Sequence, residues 1–402
     1  MSSPAAPATD GLVRARPDGL GEAYLPTRTV QSHAANLAVL PDGDLGCVWF
    51  GGTQEGVADI SVWFSRLPAG TDRWRDPVRL SDDATRSEQN PVLFAAPTGE
   101  LWLLHTAQHA GDQDTAVVRV RVSVDSGRTW GPVRDLLSSP HGGVFVRQPP
   151  VVLPSGRWLL PTFACPRAAG RAWSGEHDTS SVWFSDDGGA SWQEAPVPAS
   201  TGRVHMNIVP RPGGRLTAYF RSRWADHVYR SGSPDGITWQ PPHPVGLPNN
   251  NSSIQAVALP GGLTALAFND SSRRDAVARR ASLYDEIDGA GIVEDAVPQV
   301  RAVEDGDGDR TAFWGAPRAP LVLAVSADDG STWPRRWLLA DGDGYALSNN
   351  SRDGINRELS YPSLVVDSAG DLHVAFTHHR RAIRYLRVPA RMFRTEAVGE
   401  RD

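Results

Sequence analysis

The sequence predicts an all-β repeat protein of six four-stranded units, and two recurrences predict it. The first is a turn octapeptide in which a Ser, an Asp two residues on, a Gly and a closing Trp keep fixed offsets. It occurs at 123–130 (Ser123, Asp125, Gly127, Trp130), at 185–192 (Ser185, Asp187, Gly189, Trp192) and at 326–333 (Ser326, Asp328, Gly330, Trp333). A copy one residue shorter fills 233–239, and a worn copy without the Asp ends at Trp74. Asp and Ser bond backbone donors across a turn, Gly supplies positive φ, and Trp has the apolar area to anchor a hairpin. The anchoring tryptophans follow one another after about 56, 62, 47 and 94 residues, one four-stranded unit each with roughly one more in the last interval.

The second recurrence is an apolar run, a Gly turn and another apolar run. Its copies open at His33, Asn90, Gln148, Asn207, Ile254 and Tyr361, and each reads as a short hairpin. Six copies set the number of units. Residues 1–20, rich in Pro, Ala and Arg, are expected to be a flexible lead, 21–390 to carry the repeats and 391–402 to be a tail. An insertion at about 269–316 departs from the repeat. It starts with a helix-prone charged stretch from Ser271 and ends in the acidic, Gly-rich run 304–310. That run lacks the downstream Glu of a calcium loop and reads as solvated; the insertion as a whole suits a lid or an assembly surface.

The formal charge of −6 and a pI near 6.0 leave no basic footprint for nucleic acid. Lysine is absent, so every cation is Arg or His, a set suited to bidentate recognition of carboxylates. Cys47 and Cys165 lie in apolar runs and read as buried thiols; neither a metal nor another cofactor is expected. The opening residues lack a charged segment followed by an apolar run, and no stretch is long enough to span a bilayer. A cytoplasmic location without membrane partners is the expectation.

The octapeptide turns resemble the Asp-boxes, or bacterial neuraminidase repeats, of sialidases and their relatives, and the resemblance covers about residues 24–388. It implies a six-bladed β-propeller with Asp-box turns, in which the boxes lie away from the active site, so that Asp125, Asp187 and Asp328 are structural. In a propeller the first strand of each blade lines the channel. The residues opening the hairpins should therefore meet at one mouth: His33, Gln89, Asn90, Arg147, Gln148, His205, Asn207, Asn250, Ser253, Gln255, Glu358 and Tyr361. Nearly all are hydrogen-bonding groups, as a sugar with many hydroxyls requires.

Sialidases bind their substrate's carboxylate with three arginines, attack with a Tyr assisted by a Glu, and use an Asp as general acid/base. Tyr361 stands where the nucleophile opens the last hairpin; Arg318, and Arg221 or Arg223, match two of the arginines. Two positions depart from the pattern, with His33 in place of the first-blade Arg and His205 in place of the assisting Glu. They bring the chain closer to non-sialidase relatives, which include enzymes cleaving rhamnose from glucuronate, by hydrolysis or elimination, with a channel His. Glu55 and Asp59, in the Gly-rich loop after the first hairpin, are the carboxylate candidates. His378 and His379, beside Arg380 and an alternating strand, read as a solvated edge.

The resulting expectation is an exo-acting carbohydrate-active enzyme, a hydrolase, cleaving a glycosidic bond in a small or oligomeric sugar that bears a carboxylate. His33, Glu55, Asp59, His205 and Tyr361 would carry the chemistry, and Gln89, Asn90, Arg147, Gln148, Asn207, Arg221, Arg223, Asn250, Gln255, Arg318 and Glu358 the binding. The alternatives are a uronate-directed lyase using a channel His, a sugar-binding propeller without catalysis, and a tailoring enzyme of intracellular metabolism.

Overall fold

The computed structural model describes residues 8–167, 173–276, 310–342 and 357–393, together with short strands at 279–280, 287–288, 291–292 and 300–301. The described chain forms six antiparallel sheets in sequence order, the blades of a six-bladed β-propeller. Blade 1 runs outward through Gln31–Val39, Leu45–Gly52, Ser61–Leu67 and Val78–Arg79. Blade 2 is Ser87–Ala95, Leu101–His109, Asp112–Ser123 and Arg134–Leu137. In blade 3 the inner strand is split into Gly142–Val146 and Val151–Val152, both paired with Trp158–Pro166; Thr179–Ser185 and Gln193–Pro196 follow. Blade 4 is Arg203–Pro210, Leu216–Ser222, His227–Ser233 and His243–Pro248. Blade 5 is Gln255–Ala258, Thr264–Asn269, Leu321–Ser326 and Arg335–Ala340.

Blade 6 contains Leu359–Val366, Leu372–His378 and Ala382–Val388, and its fourth strand is Gly21–Tyr24 from the other end of the chain. Ala23 pairs with Tyr385, and Arg14–Ala15 adds a fifth strand. Part of the stretch expected to be a loose lead is thus bound: Leu20 is buried, and Val13 N–H donates to Asp72 O. Residues 1–7 lie outside the described residues. Of the expected tail, Ala390–Phe393 forms a 3₁₀ turn that buries Phe393.

Sheets packed face to face bury both sides of the middle strands, which is why they read as near-continuous apolar runs. Leu45–Gly52 and Leu321–Ser326 are buried at every position, whereas Val78–Arg79 at the rim is exposed. Between blades 1 and 2, Val48, Val62 and Phe64 pack on Leu93, Leu101 and Leu103. Cys47 and Cys165 are buried free thiols. Among the described residues no helix is long and apolar enough to cross a membrane.

The Asp-boxes join the third and fourth strands of blades 2 to 5. Ser123 Oγ donates to Asp125 Oδ1 at 2.7 Å and accepts from Gly127 N–H, while Asp125 accepts from Thr129 N–H and Oγ1 at 2.8 and 2.6 Å. Asp187, Asp328 and Asp235 repeat that pattern. Trp74 holds the matching place in blade 1, buried against Tyr385. Because the strands are antiparallel, these turns lie at the opposite end from the openings of the inner strands. The loops joining second and third strands lie at the same end as those openings, and so does the insertion, between Asn269 and Leu321.

The inner strands share an irregularity at that end. Register shifts fall between His33 and Asn36, Gln89 and Val92, Val204 and Asn207, and Ser360 and Ser363. Each bulge carries a left-handed residue: Ala34, Asn90, His205 and Tyr361, at φ 59°, 49°, 55° and 55°. A bulge gives one residue no partner and re-aims its side chain. For His205 and Tyr361 a positive φ is strained, so blades 4 and 6 store strain at this mouth.

Candidate active site

Tyr361 is the hub of that mouth. Arg221 Nη1 donates to Tyr361 Oη at 2.7 Å, and the guanidinium carbons of Arg147, Arg318 and Arg221 lie 5.2, 5.5 and 5.6 Å from the phenol ring's centre. The His33 and His205 rings lie 4.3 and 5.7 Å from it. Arg221 and His205 come from blade 4, His33 from blade 1 and Tyr361 from blade 6, so residues more than 300 positions apart in the chain share one cluster.

The arginines fall into two pairs. Arg318 Nη1 donates to Glu358 Oε1 at 2.7 Å; Arg380 donates from Nε to Glu358 Oε2 at 2.9 Å and from Nη1 to Glu55 Oε2 at 2.5 Å. Burial favours neutral Glu358, but Arg380 and Arg318 hold its carboxyl well below the usual range. Burial likewise opposes charge on Arg380, and Glu358 and Glu55 outweigh it and raise its pKa. These charges are satisfied.

Arg147 and Arg221 are not matched in that way: among the described residues neither has a carboxylate within ion-pair distance. Arg221, 1% exposed, gives Nε to Asn251 Oδ1 at 2.8 Å and Nη1 to His205 Nε2 at 3.3 Å as well as to Tyr361. Arg147, 2% exposed, spans the axis to Ala34, Ala35 and Tyr361 carbonyls and to Ser253 Oγ. Burial pulls Arg147 down to about 10 and Arg221 to about 9, so both stay cationic at neutral pH. Two buried cations bonded only to neutral groups make this mouth receptive to an anion.

The histidines serve those guanidiniums. Arg380 Nη2 lies 3.3 Å from His33 Nε2, and an arginine only donates, so that nitrogen accepts and the ring proton sits on Nδ1, 2.8 Å from Thr377 Oγ1. His205 Nε2 accepts from Arg221 in the same manner. Burial first, then Arg380 for His33 and Arg221 for His205, push both far below 6.5. The lone pairs expected to move protons are thus occupied in orienting cations.

A stability prediction follows. Unfolded histidines take up protons near pH 6.5, and these two do not when folded, so below pH 6.5 the unfolded chain binds more protons and stability falls. Well above 6.5 the contribution is complete; two histidines lose together about 3 kcal/mol between pH 6.5 and 5. Glu358, also depressed, adds its share only as pH falls below its ordinary range near 4.5. Denaturant unfolding at pH 7.5, 6.5 and 5 checks this; a flat profile would contradict neutral buried rings.

Several residues expected to orient a sugar have another task. The inner strand is the edge of its blade, and its N–H groups need acceptors where no fifth strand covers them. Asn207 Oδ1 accepts from Ala256 N–H at 2.6 Å and Gln255 Oε1 from Leu364 N–H at 2.5 Å. Gln148 Nε2 donates to Ile254 O at 2.8 Å. Asn36 to Leu93 and Ser363 to Leu37 continue the ring. Asn250 fixes the insertion's root through Pro317 O and Ser271. Gln89 donates to Ser87 Oγ, and Asn90 occupies the blade 2 bulge, 7% exposed.

Arg223 pairs with Asp178 at 2.7 Å, its guanidinium 5.3 to 5.6 Å from Trp173, Trp314 and Phe163. Asp59 is exposed, on the loop that carries Glu55, and caps it by accepting from Thr53 N–H. Arg380 corrects an expectation: the 378–381 turn is no solvated edge, since His379 and Arg380 are buried and left-handed, at φ 51° and 55°. Arg380, Asp178, Asn251 and Thr377 were not singled out from the sequence. Among the described residues no cluster could hold a metal ion, and the run 304–309 lies outside them.

An arginine-ringed tyrosine at one mouth of six blades, four of them closed by Asp-boxes, defines a sialidase-like β-propeller. A family model described as a BNR repeat-like domain matches residues 43–374, and the chain belongs to that family. No curated protein matches it. A Hadza microbial sialidase is 14% identical, with a TM-score of 0.64 over 90% of this chain and 66% of its own, so the chain spans about two thirds of that relative. An intramolecular trans-sialidase from Ruminococcus gnavus is 11% identical, with a TM-score of 0.62 over 92% of this chain and 96% of its own. The NanB sialidase from Streptococcus pneumoniae is 12% identical, with a TM-score of 0.60 over 96% and 71%. At these identities the likeness is one of fold.

Proposed function

We propose that the protein is an exo-acting glycosidase for a sugar bearing a carboxylate. The observation that carries this reading is Arg221: a buried cation without a carboxylate partner among the described residues, bonded to the hydroxyl of a strained tyrosine. A substrate carboxylate supplies the missing anion, taken by Arg221 and by Arg318, whose side chain is partly exposed. The anchored sugar then presents its anomeric carbon to Tyr361 Oη, which gives its proton to water and bonds to that carbon as the bond to the leaving oxygen breaks; an N–H from Arg221 stabilises the phenolate before that bond forms and after water displaces it. Glu55 is committed to Arg380, which leaves Asp59 as the exposed carboxyl able to protonate the leaving oxygen and then activate water. His33 and His205 hold arginines in place, and Arg147 and Glu358 hold the floor.

Sialic-acid relatives lend the carboxylate reading support, since sialidases are among the structures of this fold. The test is incubation with a sialoside, an aryl glucuronide and a rhamnosyl-glucuronate disaccharide, followed by mass and ultraviolet absorbance. A saturated acidic sugar or its freed partner is the expected product. An unsaturated, absorbing uronate would replace hydrolysis by elimination, and binding of all three without any product would make the protein a sugar-binding propeller.

A further inference from the structure

In the loop between blades 4 and 5, Asn251 is 2% exposed and has both ends of its amide engaged. Oδ1 accepts from Arg221 Nε at 2.8 Å, and Nδ2 donates to Phe313 O at 2.9 Å. A guanidinium only donates and a peptide carbonyl only accepts, so the amide can face one way alone. The Asn251 backbone N–H donates to Asn249 Oδ1 at 3.1 Å, and the same oxygen takes Ser222 N–H at 3.0 Å. The loop is thereby fastened to the end of the strand that carries Arg221. Phe313 belongs to the limb by which the insertion returns to blade 5, and its N–H donates to Arg223 O at 2.8 Å. Asn251 thus ties Arg221 to blade 4 and to that limb at once.

The backbone at 251 narrows the choice of residue. Its φ is 59°, a left-handed conformation that Asn and Asp adopt more readily than any other side chain-bearing residue of their size. Between these two, charge decides. Two residues beyond Arg221, Arg223 meets a carboxylate, with Nε and Nη2 at 2.9 and 2.7 Å from Asp178 Oδ2. Arg318 and Arg380 both meet Glu358. An Asp at 251 would set a carboxylate on Arg221 Nε in the same way and would lose the N–H that Phe313 O accepts. The amide orients the guanidinium without cancelling its charge.

We infer that Asn251 is the positioning residue that sets the preference of this site for a carboxylate: it orients Arg221 through a neutral group, so that the anion completing the pair is the substrate's. The inference rests on the proposed reading of the axial mouth for its class of ligand, and it is tested by binding, apart from turnover. The probes are sialic acid and glucuronic acid, each beside its methyl ester, titrated into the full chain by calorimetry. The unaltered chain should bind at least one acid about 100-fold more tightly than its ester. Asn251→Asp should cut that preference at least about tenfold, with ester affinity changed less than about threefold and the melting temperature held. A preference that survives Asn251→Asp overturns the inference. So does an equal loss of acid and ester, the result that a purely structural amide would give.

Asn251→Ala is the second arm, free of any new carboxylate. It removes the partner of Arg221 Nε and should weaken acid binding about tenfold, whereas in an Arg221→Met background the same change should cost acid affinity nothing more. Additive losses would overturn a role through Arg221. If the acid preference and its loss in Asn251→Asp are found but no glycoside is ever cleaved, the glycosidase reading fails and the role of Asn251 stands. If glycosides are cleaved and acid is bound no better than ester, the role of Asn251 falls and the enzyme remains.

Discussion

Tyr361→Phe is expected to lower kcat by about 10³-fold, ~4 kcal/mol at the transition state, while affinity for the acidic sugar changes less than about threefold. The ring, its contacts with His33 and the left-handed bulge all persist in the variant, and Arg221 keeps Asn251 and His205. Only the oxygen that would attack is lost. Steady-state kinetics with calorimetry on the same substrate separates the two quantities. Unchanged kcat would reduce Tyr361 to a wall of the pocket, and a parallel loss of affinity would make it a binding group.

Arg221→Met is expected to weaken binding of the acidic sugar about 100-fold, ~2.7 kcal/mol, and at the same time to leave the fold as stable as before or up to ~2 kcal/mol more so. The reason is the cation's uncompensated burial, which opposes folding until a ligand arrives. Arg147→Met serves as the contrast. That side chain ties backbone carbonyls of blades 1 and 6 to Ser253, so its loss strands buried acceptors and should lower the melting temperature. Thermal unfolding of the two variants without and with ligand gives the comparison. If Arg221→Met destabilises as Arg147→Met does, Arg221 is a structural brace.

The propeller was legible because its signature is local. Ser123, Asp125, Gly127 and Trp130 fold on one another within eight residues, so the pattern survives in sequence wherever the turn survives. The mouth was located for the same reason, through the start of each hairpin. What sequence could not separate is the two tasks of a polar residue on an inner strand. Asn207 and Gln255 serve the neighbouring blade's backbone, and Arg221, on the next strand, serves the axis. Composition is identical in kind for both. Arg380 escaped notice because the alternation of the strand after it points to solvent, while the left-handed pair His379 and Arg380 turns the chain inward. Its partners, Glu55 and His33, lie more than 300 residues away.

The strand Gly21–Tyr24 meets Ala382–Val388 across nearly the whole chain, and this has a bearing on biosynthesis. The segment that clasps the ring leaves the ribosome before any of the blades, and its partner emerges only after the first five have been made. For most of translation five blades can assemble in order, each from contacts close in sequence, while an unpaired strand waits at the front. Closure is then a single long-range docking event, and until it occurs the nascent ring carries an open edge on either side.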